Sequence, residues 1–332
     1  MLDYYSRNRD FFRDLRNVCF YITDPGSWAV LKILAEFMDR CGHRCFFMPE
    51  GWALKNAPGS WDSSQTVDLE DWKRGSRLSF HLLVYGAQQH FSKNYEMLAQ
   101  CRNSGIKTLF VFDSWKNYLV NFRDPLSGVF YLPSRIAVAD QAMKAGILSA
   151  LAGYTEENIE SKIDILGQPA IDASISYISS LSPENVASLR KRYNPDRKIL
   201  RLFIMEPIRE DFLQVNQVDP GYDEYTILEY FLTHLCTENS RVLIKVHPRQ
   251  KRDEFLKSIP FVLRNARKLF MEIEYDEKIE HLIAIADEIY GMTSISLTVA
   301  IRCGKKAGSV QVGRNGYGNT LSNPELEKCL IV

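Results

Sequence analysis

RVLIKVHPRQ, residues 241–250, is the stretch on which the fold turns. The apolar run Val242 to Val246 has the length and β-branched content of a strand buried on both faces. It stops at His247-Pro248, with Lys245 and Arg249 on either side. Proline keeps the residue before it extended and offers no N–H to a ladder, so Pro248 ends the strand and leaves His247 at its carboxyl edge. Open α/β sheets bind their ligands at that edge. Alternation places Lys245 on the same side as His247, where the two can face a leaving phosphate. The same pattern serves equally for a histidine that caps a strand end among solvated neighbours.

Outward from this strand, short apolar runs alternate with helical spacing along the whole chain. NVCFYIT (17–23), CFFMP (45–49), FHLLVYG (80–86), KTLFVFD (107–113), RIAVAD (135–140) and KIDILGQP (162–169) read as strands. So do ILRLFIME (199–206), 241–248, LFMEI (269–273), EIYGM (288–292) and KAGSVQV (306–312). Helical spacing falls at 29–41, 94–103, 223–236, 277–286 and 295–303. Between the series lies the polar stretch SLSPENVASLRKRYNPDRK, which sets the expected boundary at 182/183. The expected fold class is α/β, with two Rossmann-like domains (1–182 and 183–332) facing a cleft. The polar segment 56–76 has no period and reads as a long surface loop.

Composition narrows the function classes. The 332 residues carry 41 Lys+Arg and 41 Asp+Glu, a net charge of zero, so no global field draws the chain to nucleic acid. No apolar run is long enough to span a bilayer, and the first residues lack a signal-peptide core. A cytoplasmic protein is expected. RNRDFFRDLR (7–16) leaves contact with the inner face of the membrane open, against a helix that packs by its aromatic face. The seven cysteines suit reduced thiols. CGHRC (41–45) has no second ligand cluster to complete a zinc site, so a strand entry with buried thiols is expected. No GxGxxG, GxxxxGK[ST] or Asp-x-Asp occurs. Neither a dinucleotide cofactor nor a metal is expected.

Two further stretches of the second half carry candidate chemistry. In GMTSISLTVAIRCGK (291–305), Gly291 leads into Thr293, Ser294 and Ser296 at a helix start, a place that is either an ordinary N-cap or a phosphate cradle. In IMEPIRED (204–211), Glu206 ends a strand and can accept hydrogen bonds from a ribose or base, or be a solvated turn acid.

MEPIRED, DPGYDEYTILEYF, IKVHPRQ and YGMTSISLTVAIRCGK, in this order and spacing, resemble the nucleotide-binding half of GT-B glycosyltransferases. The resemblance is to the bacterial sialyltransferase-like, Kdo-transferase-like and polysialyltransferase-like group; CDP-glycerol transferases share a similar His-Pro strand edge. It implies an inverting, metal-independent transfer from a nucleotide sugar, a CMP-linked nonulosonate or Kdo-type sugar, to a bacterial surface glycan or glycolipid. His247-Pro248 and Thr293-Ser294 then hold the nucleotide phosphate, with Lys245, Arg249, Glu206, Gly291 and Ser296 around them. A general base is required from the first half. Asp24 in DPGSW (24–28) is the first candidate, Asp113 in FDSWKNY (112–118) the second and Glu50 in MPEGW the third. Trp28, Trp115 and Tyr118 are candidates to stack on a sugar. The rival readings are a UDP-GlcNAc 2-epimerase-like enzyme, a CDP-glycerol-type transferase and a non-catalytic nucleotide-sugar-binding protein on the same fold.

Overall fold

The computed structural model describes residues 1–332 except 57–64, 76–78, 88–90, 116, 125–126, 156–157, 209, 211–220, 264–268 and 314–322, and except the side chains of 56, 91–94, 261 and 263. Parts of the quoted stretches FDSWKNY, MEPIRED and DPGYDEYTILEYF therefore lie outside the described residues. The chain divides into two compact units, Met1–Ala170 and Ile171–Val332. The division falls inside helix Pro169–Ser180, ahead of the polar stretch expected to mark it. Hydrogen bonds tie this helix into the second unit: Ser174 Oγ donates to Glu280 Oε1 at 2.7 Å, and the Tyr177 hydroxyl meets His281 Nε2 at 2.9 Å.

The first unit holds β1 (Asn17–Ile22), β2 (Arg44–Pro49), β3 (Leu82–Gly86), β4 (Lys107–Val111), β5 (Arg135–Val138) and β6 (Ile163–Ile165). They form one parallel sheet in the order β2-β1-β3-β4-β5-β6. The central strands are buried along almost their whole length, which is why they read as continuous apolar runs. Helix Pro25–Arg40 lays Val30, Leu31, Leu34 and Met38 over Val18, Phe20 and Ile22 of β1. Strand order reverses between β1 and β3, so the crevice of this sheet lies at their carboxyl ends.

The amino-terminal stretch is spent on this unit's core. Phe12 and Leu15 are buried, and Phe11 packs beneath the Lys107 and Arg135 cations. His43, in CGHRC, is buried rather than ligating. Its Nδ1 donates to the Leu15 carbonyl at 2.5 Å, so its Nε2 accepts from the Tyr5 hydroxyl at 2.7 Å. One imidazole thus pins the terminal helices to β2. The segment expected as a loop at 56–76 contains helix Leu69–Lys73, capped by Asp68, with Trp72 buried against Phe80. A single turn of helix shows too little periodicity to be read from sequence.

The second unit holds β7 (Ile199–Ile204), β8 (Ser240–Lys245), β9 (Phe270–Glu274), β10 (Glu288–Gly291), β11 (Lys306–Val310) and β12 (Leu330–Ile331). Their order is β12-β11-β10-β7-β8-β9, again all parallel. This is the classic dinucleotide-fold order, with its reversal between β7 and β10. The helix expected at 223–236 forms as Glu224–Tyr230 and finishes in a π turn, Phe231–Leu235. The short β12 was not expected.

At the amino ends of this sheet sits a buried ion pair. Arg201 Nε meets Glu288 Oε2 at 2.5 Å, the same guanidinium donates to Ser240 Oγ, and Lys306 Nζ reaches Glu288 Oε1 at 2.6 Å. Burial pushes the Glu288 carboxyl up, but hydrogen bonds from Lys306 and Arg201 outweigh it and hold the group below the ordinary glutamate value of 4.5. A carboxyl held down in the folded state stabilises above its unfolded value and loses that contribution as pH falls through its folded one. Arg201→Met leaves Glu288 half-paired, and urea unfolding at neutral pH is expected to show a loss of about 3 kcal/mol. The difference from wild type should shrink below pH 4.5. Equal stability at neutral pH would mean that the pair contributes nothing net.

Candidate functional site

In the second unit three neighbouring strands, β10, β7 and β8, deliver the expected residues to one carboxyl edge. β7 exits into Glu206, whose side chain is 8% exposed. Its Oε2 accepts the Thr293 N–H at 2.7 Å and the Met292 N–H at 3.3 Å, and its Oε1 accepts the Thr293 hydroxyl at 2.9 Å. Sequence reading treated Glu206 and Thr293 as separate elements. The structure makes them one latch across the strand-order reversal. Gly291 permits it: a Cβ there would stand 3.1 Å from the Ile204 carbonyl oxygen, so only glycine lets β10 leave this close to β7 without a shift. Ser294 caps helix Ile295–Arg302 and accepts the Ser296 N–H at 3.3 Å. The Met292, Thr293 and Ser296 amides thus all have partners within the protein.

His247 lies beyond the end of β8 rather than in it. Val246 makes the last ladder bond, to the Glu274 carbonyl at 3.0 Å, and the chain then turns, with the Gln250 N–H on the His247 carbonyl at 2.9 Å. His247 Nδ1 accepts the Arg249 backbone N–H at 3.1 Å. A backbone amide can only donate, so in the neutral ring the proton sits on Nε2, which is then a donor. Pro248 is exposed at the tip of the turn and Arg249 is half-buried.

Lys245 does not follow His247. Its Nζ donates to the Tyr275 carbonyl at 2.6 Å, at the exit of β9. Burial lowers its ammonium pKa, against the opposing pull of Glu274, Asp276 and Glu277. Alternation within a strand does not extend through the turn that Pro248 imposes, so the expected Lys245–His247 pairing on one side is not formed.

In the first unit the candidate carboxylates gather at the carboxyl ends of β1, β2 and β4. Asp24 caps helix Pro25–Arg40, its Oδ1 accepting the Ser27 N–H at 2.8 Å. Asp113, beyond β4, accepts the Ser114 hydroxyl at 2.9 Å. The two lie on either side of Gly26: a Cβ there would stand 2.4 Å from Asp113 Oδ2 and 3.4 Å from Asp24 Oδ1. Glu50, at the exit of β2, accepts the Tyr21 hydroxyl at 2.5 Å. Gly86 ends β3 where a Cβ would fall 2.8 Å from Ser27 Cβ, so it admits the helix start to the crevice.

Of the aromatic candidates, Trp115 is 4% exposed and donates its indole N–H to Asp140, which excludes it from stacking on a sugar. Tyr118 packs on Gly146 and edge-on to Phe112. Trp28 is half-buried with Lys32 over its ring.

Sequence reading missed Gly26, Gly86 and Gln168, the last of which donates from Nε2 to the Asp113 carbonyl at 2.5 Å. The signal for Gly26 was present in DPGSW, where a glycine stands inside a helix start. Nothing in the sequence marks the other two. Among the described residues, no three His, Cys, Asp or Glu side chains come together as a metal site. Among them too, no helix is long and apolar enough to cross a membrane.

No family model and no curated protein matches the chain. Solved structures do. The chain is similar to UDP-GlcNAc 2-epimerase from Neisseria meningitidis bound to UDP-GlcNAc, with a TM-score of 0.64, 11% identity, and coverage of 96% of this chain and 87% of that one. It is similar to Anabaena Alr3699/HepE in complex with UDP-glucose, with a TM-score of 0.59, 12% identity, and coverage of 90% and 81%. It also resembles the wall teichoic acid polymerase TagF soaked with CDPG, with a TM-score of 0.51, 12% identity, and coverage of 89% and 69%. The fold is therefore the one shared by GT-B enzymes, two α/β units each built on a parallel sheet.

The Glu206 latch has a direct test. Glu206→Gln keeps the shape but turns one acceptor oxygen into an NH₂ group that faces N–H or O–H donors. The expected loss is about 1–3 kcal/mol in chemical unfolding. An unchanged midpoint would mean that the carboxylate is not what joins the two strand exits.

Proposed function

We propose that this protein is a GT-B glycosyltransferase that moves a sugar from a nucleotide-activated donor to a hydroxyl acceptor. The observation that carries the reading is the edge of the second unit, where Glu206, the Thr293–Ser296 helix start and the Nε2 donor of His247 stand at the ends of three adjacent strands. The similar folds add support at the level of donor class, since their bound molecules are UDP-glucose, UDP-GlcNAc and CDPG.

In this reading the acceptor oxygen forms a bond to the anomeric carbon while that carbon's bond to the donor phosphate oxygen breaks. The electron pair leaves with the nucleotide, and the acceptor proton passes to a carboxylate of the first unit. His247 Nε2–H stabilises the departing phosphate as its charge grows. The helix start at Ser294–Ser296 supplies the positive end of a dipole. Glu206 serves as the anchor of this loop and as the acceptor for a ribose hydroxyl. Gly291 keeps the loop close to β7, and Pro248 and Arg249 form the turn that holds the imidazole. We take the transfer to be inverting and to need no metal. The resemblance of the His-Pro and Thr-Ser stretches supports a CMP-linked nonulosonate or Kdo-type sugar as the donor and a bacterial glycan or glycolipid as the acceptor.

A thermal-shift panel of CMP, CDP, UDP and GDP tests the donor site. A nucleotide at ~100 times its dissociation constant stabilises by roughly 2.7 kcal/mol. The cytidine nucleotides should give the largest shift; no shift with any of the four removes the reading. Turnover of UDP-GlcNAc without acceptor would assign an epimerase instead, and binding without turnover a nucleotide-sugar-binding protein.

His247→Ala is expected to lower turnover on the order of 10²–10³, by comparison with loss of one oxyanion-hole donor, and to change donor affinity much less. Near-normal turnover in a folded variant would make the histidine structural. Activity should persist in EDTA, and loss that Mg²⁺ or Mn²⁺ restores would contradict the metal-free mechanism.

A further inference from the structure

Two carboxylates meet at the crevice of the first unit, and they are not equivalent. Asp24 already has a sufficient structural task as the N-cap of a long helix. Asp113 caps no helix among the described residues, and three features of its surroundings restrain it. Ser114 donates to its Oδ1. Gly26 leaves the space its Oδ2 occupies. Gln168, which is 3% exposed, reaches from the exit of β6 past β5 to donate to its main-chain carbonyl at 2.5 Å.

The Gln168 amide has only one way round, because its oxygen cannot face that carbonyl. With Nε2 so placed, its Oε1 is buried without a hydrogen-bond partner. A buried acceptor left unsatisfied is destabilising; a leucine would remove that orphan but would also take the Nε2 donor from the Asp113 carbonyl. The bond made by Nε2 and the acceptor orphaned at Oε1 oppose each other, so stability alone does not account for a glutamine here. Placement of Asp113 does: the β4 exit is otherwise anchored by the Phe112 N–H on the Ala137 carbonyl, one residue short of the carboxylate.

We propose that Gln168 is a positioning residue which, with Gly26, fixes Asp113 as the carboxylate that takes the acceptor's proton. The inference rests on the transferase reading and refines it, since Asp24 becomes the helix cap beside the base. Asp113 accepts the proton of the acceptor hydroxyl as that oxygen bonds to the anomeric carbon. Gln168 touches no reactant and acts only through the main chain of Asp113.

The experiment compares Gln168→Leu, Asp113→Asn and Asp24→Ser with wild type, using whichever of a CMP-linked or UDP-linked sugar the wild type consumes. Asp113→Asn should lower kcat on the order of 10²–10⁴, the range of a lost general base. Gln168→Leu should lower kcat about tenfold or more, because small misplacements of a reacting group are costly, with donor KM unchanged and a melting temperature close to that of wild type. Crystal structures of wild type and Gln168→Leu add an arm that needs no turnover. The carboxylate of Asp113 should stand over Gly26 in the first and be displaced in the second. A lower melting temperature with normal kcat would make Gln168 merely structural and overturn the proposal. So would an undisplaced Asp113, or a larger kcat loss in Asp24→Ser, where serine preserves the cap, than in Asp113→Asn. The wild-type rate itself tests the transferase reading; the variant-to-wild-type ratios test this inference.

Discussion

The start of an α-helix presents N–H groups that must find acceptors, and in both units this demand falls where the strand order reverses. The protein meets it with carboxylates. In the second unit Glu206 crosses from the exit of β7 to the Met292 and Thr293 amides ahead of helix Ile295–Arg302. In the first, Asp24 takes the Ser27 amide while Asp113 stands against Gly26 on the same turn. A reversal opens a crevice because consecutive crossover helices leave to opposite sides of the sheet. A side chain that spans it therefore ties together the two strand exits that border the crevice.

The two seams differ in what they offer a ligand. Glu206 has its charge met by two amides and a hydroxyl, and the neighbouring β8 exit presents the Nε2 proton of His247. That edge pairs a hydrogen-bonded carboxylate with a ring N–H donor. At the first unit's seam Asp24, Asp113 and Glu50 bring three carboxylates to the ends of β1, β4 and β2. An edge of that sign repels phosphate and accepts hydroxyl donors.

Much of this was legible in the sequence, for reasons that also set its limits. Strands buried on both faces must be continuous apolar runs, so β1, β3, β7 and β8 stood out without help from alternation. Pro248 marked the end of a strand, and the restraint it places on the chain was enough to find His247. The same proline defeated the next step, because alternation was carried through a turn where it no longer holds, and Lys245 went to the Tyr275 carbonyl instead. The Glu206–Thr293 bond was invisible, since its partners are far apart in the chain and strand order decides whether they meet. Gln168 was hidden for a like reason: in ILGQPAID it reads as a polar residue before a proline. His43 in CGHRC shows the reverse, a suggestive pattern that buries itself on Leu15 and Tyr5.

The opposite ends of the second sheet show what a purely structural polar cluster looks like here. Arg201, Glu288, Lys306 and Tyr290 bond among themselves at the amino ends, and Asp287 takes both the Arg190 guanidinium and the Leu200 N–H. Each carboxylate there is met by cations, and its pKa is held low despite burial. At the carboxyl end of the first sheet the bookkeeping differs. Gln168 keeps a buried oxygen unpaired, and Gly26 and Gly86 give up side-chain packing to let other groups approach. Gln168 thus satisfies the Asp113 carbonyl only by leaving its own oxygen unpaired. Departures of this kind, gathered at the carboxyl edge of the sheet, are what the proposed positioning of Asp113 would require of the fold.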